Sequence, residues 1–429
     1  MILKHLHLRP DHALQTKPRK HTPTNLNLPP SPDGSSVASF ARNDREQGPD
    51  HMKKTILAAA IAALCAAQAA TAEVKIGMIT TLSGGGAHLG IDVRDGFELA
   101  LKQANASDVT LIIRDDVRKP DVAKSLADEM IQREKVDILT GIIWSNLAMA
   151  VVPGAVRQGV FYISPNAGPS ALAGKGCHKN YFNAAWQNDN LHEAMGGYMK
   201  DAGFKAPFVL APNYPAGKDA LTGFKRLFGD TVAGEIYTKL GQTDYAAEIA
   251  QIRASGADSV FFFLPGGMGI SFMKQYAAAE VDIPVFGPAF SFDEIILGAV
   301  GDAAIGTQNT SEWAYDLDFP ANIEFVAGFR AAYGRTPTLY AAQGYETARL
   351  ILSALAKAKP SDQDAFRAAL KAADFASVRG SFKFGSNHHP IQNIYVREVV
   401  AGPDGKPTNK LVGIAIENHS DVYAADCVM

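Results

Sequence analysis

The chain has 429 residues, 47% of them hydrophobic and 20% charged, with a net charge of −3. That balance is ordinary for a globular protein, and the length implies about two to three domains. Residues 1–72 hold nine Lys/Arg against five Asp/Glu, so this segment is +4 and the rest of the chain is −7; an acidic body without a basic cluster excludes nucleic acid as the main partner.

Residues 1–51 are rich in Pro, His, Ser and Asn, with no sustained apolar period, and are expected to be disordered. Met52 opens a secretory signal: Lys53-Lys54 is its charged start, residues 56–67 its apolar stretch, and Ala70-Thr71-Ala72 its cleavage site. The apolar run is too short for a stable membrane span. Translation is therefore expected to begin at Met52, with 52–72 removed on export to the periplasm. Cys65 lies inside the signal, preceded by Leu64 where lipid attachment requires a small residue. Cleavage leaves Cys177 and Cys427, and in an oxidising compartment an even pair is expected to form a disulfide.

From Val74 onward, strand and helix patterns alternate. Residues 74–79 read as a strand, 81–90 as a glycine-rich loop, and 92–103 as a helix with Val93, Phe97 and Leu101 on one face. A strand at 111–113 and a helix at 121–134 follow. Residues 138–143 form a short apolar run suited to a parallel strand covered on both faces. Gly141 interrupts it, and Ser145 stands where a helix cap belongs, before a helical segment at 147–157. A helix start offers unpaired N–H groups and the positive end of a dipole, which bind carboxylates without a charged side chain. Val160 to Ile163 is the next strand, ended by Ser164-Pro165. A second βα series fills 191–286, residues 320–373 are mostly helical, and short strands with a Pro403-Asp404-Gly405 turn close the chain. The pattern predicts an α/β fold of two doubly wound lobes facing each other across a closable cleft.

Several ordered motifs resemble the branched-chain amino-acid binding protein family: Leu82-Ser83-Gly84-Gly85 through Gly90, Gly141 to Ser145, Ile163-Ser164-Pro165, Asn213-Tyr214-Pro215-Ala216-Gly217, Thr243-Asp244-Tyr245 and Gly256-Ala257-Asp258. The resemblance spans about residues 73–400. It implies a type I periplasmic binding fold with three crossovers between lobes and delivery of a solute to the permease of an ABC importer. The expected lobes are 73–182 plus 313–389, and 183–312 plus 390–429. It also implies that Ser145 holds a ligand carboxylate, helped by the backbone after the Ser-Pro step. Those positions are Asn166, Ala167 and Gly168, the last replacing a threonine; Asn166 or Ser170 could supply a side-chain donor. Tyr214 matches a tyrosine that covers the ligand.

One departure points to the cargo. Members that bind amino acids carry an acid after the strand at 259–264 to pair with the ammonium, and by register that position is Met268; no acid lies between Asp258 and Glu280. An unpaired ammonium in a closed cleft costs several kcal/mol. The expected cargo is a small carboxylate without an α-amino group, an aromatic acid above all, seated against Tyr214, Met268 and Phe290, with His88 and Leu89 at the cleft mouth. Branched-chain amino acids are the runner-up. Gln187, Asn213 and Ser291 are candidates to read a ring hydroxyl, while Asn183 and Trp186 read as crossover residues. Expected partners are this ligand and inner-membrane permease subunits, with the chain a monomer.

Enzymatic readings find no support. Gly84 to Gly90 breaks the dinucleotide fingerprint and lacks the Lys-Ser/Thr of a P-loop. No Gly-x-Ser-x-Gly elbow is present. His388-His389 has no acid or cysteine at ligand spacing and reads as a surface turn. No cofactor or metal is expected. A ligand-sensing receptor of the same fold is the rival that keeps the architecture.

Overall fold

The computed structural model of the chain describes residues 73–429. The expected disordered segment 1–51 and signal peptide 52–72 lie outside the described residues. Five parallel strands, β1 (Val74–Thr80), β2 (Val109–Asp115), β3 (Ile138–Thr140), β4 (Phe161–Ser164) and β5 (Tyr181–Asn183), form the first sheet in the order 2-1-3-4-5. Helices α1 (Ala87–Gln103), α2 (Pro120–Glu129), α3 (Ser145–Arg157) and α4 (Ser170–Ala173) connect them. The apolar runs explain the placement: Ile76, Met78, Ile138, Leu139, Tyr162 and Ile163 are wholly buried, as central parallel strands require, while the edge strand β2 is half-buried.

The second lobe repeats the scheme. Helix α5 (Asn190–Asp201) leads to β6 (Pro207–Pro212), α6 (Pro215–Phe228), β7 (Gly234–Thr238), α7 (Ala246–Ala254), β8 (Ser259–Phe262), α8 (Gly267–Ala278), β9 (Val285–Pro288), α9 (Glu294–Val300) and β10 (Gln308–Ser311). Strands 7-6-8-9-10 run parallel. The chain then returns to the first lobe as α10 (Pro320–Tyr333), α11 (Leu339–Leu355) and α12 (Gln363–Ala372). It ends in the second sheet, where β12 (Pro390–Ala401) runs antiparallel to β10, flanked by β11 (Phe382–Phe384) and β13 (Pro407–His419). The expected division kept 382–384 with the first lobe, but β11 pairs with β12, so the return to the second sheet precedes residue 389. Among the described residues no helix is long and apolar enough to cross a membrane.

Helices α1 and α11 cross at two glycines. A Cβ on Gly96 would strike the carbonyl of Ala341, and one on Gly344 the carbonyl of Val93, so neither position admits a side chain. Elsewhere the connecting segments are stitched together. Arg379, buried in the third crossover, pairs with Glu346 of α11 and donates to the Ala184 and Ala185 carbonyls of the first at 2.6 and 2.7 Å. Buried charges of this kind depend on such complete pairing.

The lobes also touch directly. Ser170 of α4 donates from its backbone and hydroxyl to Asp219 of α6, at 3.0 and 2.6 Å. Asp293, capping α9 in the second lobe, accepts the Leu339 N–H at the start of α11 in the first, at 3.1 Å. Burial pushes the Asp293 carboxyl up to about 7, against the pull of Arg397. Cys177 and Cys427 are joined in a disulfide that fastens the tail to the first lobe, closing a sequence span of 250 residues.

Two outcomes follow from this architecture. Replacing both cysteines by serine should lower unfolding free energy by roughly 2–5 kcal/mol in urea titration, because the bridge restricts the unfolded chain. Asp293 binds a proton in the folded state that the unfolded chain has already lost above about pH 4. Its contribution is therefore greatest below that pH and is lost as pH rises through about 7. The melting temperature of the protein should fall more between pH 5 and 8 than that of Asp293→Asn; equal slopes would count against this assignment.

Candidate functional site

The turn after β3 fixes the first wall of the site. Gly141 has φ +106°, a conformation open to glycine, and a Cβ there would lie 2.7 Å from the Ile79 carbonyl. The strand stops at Thr140, three residues earlier than its apolar run suggests, because this turn ends the ladder. Residues 142–144 then climb into α3. Trp144, not Ser145, is the cap residue, and it caps with no side-chain hydrogen bond. Ser145 is thus the first helical residue and its hydroxyl is not spent on the helix. Its Oγ accepts a hydrogen bond from Asn188 Nδ2 at 3.1 Å, which leaves its own proton to donate. Leu147 and Ala148 already direct their N–H groups to the Trp144 carbonyl, while those of Ser145 and Asn146 have no partner among the described residues. Trp144 is held by its indole N–H, which donates to Thr81 Oγ1 at 3.0 Å, and Thr81 donates in turn to Asp116.

The segment after β4 does not act as expected from sequence. Gly168 donates its N–H to Asn188 Oδ1 at 3.1 Å, and Ala167 directs its N–H to the Ile142 carbonyl at 3.4 Å. Both donors that were to hold a carboxylate are therefore occupied, and neither residue lines the cavity. Glycine replaces the expected threonine because a Cβ at 168 would run into the Trp186 carbonyl of the first crossover. Ser170 is committed to Asp219, and Asn166 donates its Nδ2 to Gln343 Oε1 at 2.7 Å.

Between the lobes lies a narrow cavity with free space of about 10 Å³, roughly the room of one water. The first lobe contributes Ile143, Trp144, Ser145, Asn166 and Tyr340; the second contributes Tyr214, Ala216, Phe263, Pro265 and Phe290; the first crossover adds Trp186 and Asn188. All are buried, so the lobes stand closed over it. Its rings form a connected wall: Tyr214 lies parallel to Phe263 at 6.4 Å, Phe290 meets Trp186 at 4.4 Å, and Tyr340 approaches Phe290 at 5.8 Å. Among the described residues, no Asp, Glu, Lys, Arg or His lines it.

Of the residues singled out from sequence, Ser145, Asn166, Tyr214 and Phe290 come together here. Met268 does not: it is buried at the start of α8 with its sulfur accepting the Gly241 N–H at 3.2 Å, and the preceding loop turns Pro265 to the cavity instead. His88 and Leu89 meet that loop at the mouth, 3.6 and 3.5 Å from a Cβ placed on Gly266, and not the cavity itself. Burial holds the His88 imidazole below its ordinary range. Gln187 bonds Asp189, Ser291 accepts the Leu264 N–H, and Asn213 is exposed, so none of the three reaches the cavity wall. His388 and His389 are buried, not a surface turn; His388 stacks on Phe182 at 4.0 Å and burial lowers its pKa to about 4. Among the described residues no cluster of metal-ligating side chains occurs.

Trp186, Asn188, Phe263 and Tyr340 were missed. Trp186 was recognised as a crossover residue, and the crossovers run along the floor of the cleft, so its position held the signal. Tyr340 had none: it reaches the cavity only because α11 is clamped onto α1.

Residues 73–406 match the family described as periplasmic binding protein. The Leu/Ile/Val-binding protein homolog 6 of Brucella melitensis is 31% identical over 378 residues, covering 84% of this chain and 96% of its own. A solute-binding protein of an ABC transporter from R. palustris, solved in complex with benzoate, is similar with a TM-score of 0.78 and 32% identity over 83% of this chain and 99% of its own. A second, from Rhodopseudomonas palustris BisB5 in complex with 3,4-dihydroxybenzoic acid, gives 0.74 and 27% over 81% and 98%. With two wound lobes closed over a cavity and a match that spans nearly all of the described residues, the chain belongs to the periplasmic binding protein family, as a solute-binding protein of the ABC-transporter type.

Proposed function

We propose that this protein captures an aromatic carboxylate in the periplasm and presents it to the permease of an ABC importer. The observation that carries the reading is the cavity wall, which combines aromatic rings with a helix start and, among the described residues, holds no Asp, Glu, Lys, Arg or His. The carboxylate sits at the start of α3, taking the Ser145 hydroxyl and the free amides of Ser145 and Asn146, where the helix dipole favours negative charge. The ring lies among Tyr214, Phe263 and Phe290, whose flat surfaces suit a flat apolar body. An α-ammonium would enter without an acid to meet it, at a cost of several kcal/mol. Two relatives of the same fold, whose bound ligands are benzoate and 3,4-dihydroxybenzoic acid, support the choice. The name of the Brucella melitensis relative favours a branched-chain amino acid, but the uncharged wall weighs against it.

Transport work needs two states. Ser145 belongs to the first lobe and Tyr214 to the second, so a cargo that touches both stabilises the closed form by its differential contacts. The secretory signal at 52–72 and the family together support an exported, cleaved chain.

Titration calorimetry tests the reading. Benzoate or a hydroxybenzoate should bind, and valine and leucine should give no heat; the reverse pattern would overturn the proposal. Ser145→Ala should weaken the aromatic acid by about tenfold to a hundredfold, the range for a hydrogen bond to a charged group. Tyr214→Ala should cost about 1–2 kcal/mol through lost ring contact.

A further inference from the structure

Ser145 is linked to the second lobe through one intermediary. Gly168, in the first lobe, sends its N–H to Asn188 Oδ1 at 3.1 Å. A backbone N–H can only donate, so the Asn188 amide has one orientation and turns its NH₂ the other way. The two hydrogens of that NH₂ go to different lobes. One reaches Ser145 Oγ at 3.1 Å, the other Asp219 Oδ2 at 2.9 Å. Ser145 receives a hydrogen bond on its oxygen and keeps its own proton to give.

Asp219 is held as firmly. It stands in α6, five residues after Tyr214, the cap of that helix, so whatever carries Tyr214 to the cavity carries Asp219 as well. Its Oδ2 also accepts the Ser170 N–H at 3.0 Å, and its Oδ1 takes the Ser170 hydroxyl at 2.6 Å. An oxygen that accepts two N–H donors carries no proton of its own, so the direction of these bonds follows from the donors alone. Asp219 does not line the cavity, and it reaches the cargo only through Asn188.

The line from Ser145 through Asn188 to Asp219 spans the cleft. Asn188 belongs to the first crossover, and when the lobes part it can follow one of them but not both. One of its hydrogen bonds must then break, whichever lobe it follows. The arrangement that frees the Ser145 proton is complete only in the closed form.

We infer that Asp219 is a positioning residue for the cargo carboxylate: by holding the Asn188 amide against Ser145 across the cleft, it makes lobe closure and the grip on the carboxylate one event. The inference rests on the carboxylate reading and goes beyond it, since it assigns a role to a residue that never meets the cargo. A cargo that takes the Ser145 proton has a stronger contact in the closed state than in the open one. Such a difference is what lets a ligand shift the equilibrium between them.

Calorimetry with benzoate on a double-mutant cycle is the test. Asp219→Ala should weaken binding about threefold to tenfold, the range for one hydrogen bond. With Ser145 already alanine, the same change should cost a smaller factor, because the group that Asp219 positions is gone. A residue that merely fastened the lobes would cost the same factor in both backgrounds. Should Asp219→Ala not fold, Asn188→Ala removes the middle of the line and should show the same dependence on Ser145. Equal factors in the two backgrounds, or no loss on removing Asp219, would overturn the inference and leave the carboxylate reading intact. Failure of benzoate to bind the unsubstituted protein would remove both.

Discussion

An anion drawn into a closed cavity loses its water, and something fixed in the protein must replace it. Among the described residues no cation lines the cavity, so in the proposed reading the replacement comes from hydrogen-bond donors at the start of α3. That constraint organises the first lobe. Gly141 must turn the chain so that β3 runs directly into a helix start. Trp144 must cap the helix without using Ser145, and Asn188 must engage the serine oxygen so that its proton stays free. Asn188 is itself tied to Gly168 and Asp219, which couples the carboxylate end to the first crossover and to the second lobe.

The crossovers do more than join the lobes. They carry Trp186 and Asn188 onto the cavity wall. Arg379 binds the first crossover to the third and to α11, the helix that brings Tyr340 and Gln343 to the site. Hinge and binding wall are therefore one unit. Tyr214, Phe263 and Phe290 of the second lobe face that wall across the cavity. The Ser170–Asp219 and Asp293–Leu339 contacts hold the two lobes together on either side of it.

Much of this was legible in the sequence because parallel strands covered on both faces leave apolar runs such as 138–143 and 259–264, and because the alternation with helical segments admits few architectures. The Cys177–Cys427 bridge was legible for a simpler reason, the count left after the signal. The roles of Ala167, Gly168 and Met268 were misjudged because motif register fixes where a backbone lies and not which donors its neighbours have already taken. Asn188, forty-three residues from Ser145, claims the Gly168 N–H, and Gly241 claims the Met268 sulfur. Such pairings arise only when distant segments meet.

A crystal structure of the protein with a bound hydroxybenzoate measures the central claim most directly. The account predicts the carboxylate at the first turn of α3, within hydrogen-bond distance of Ser145 Oγ, and the ring between Tyr214 and Phe290. A carboxylate at the opposite end of the cavity, or a ligand held outside it against the loop at Gly266, would contradict it.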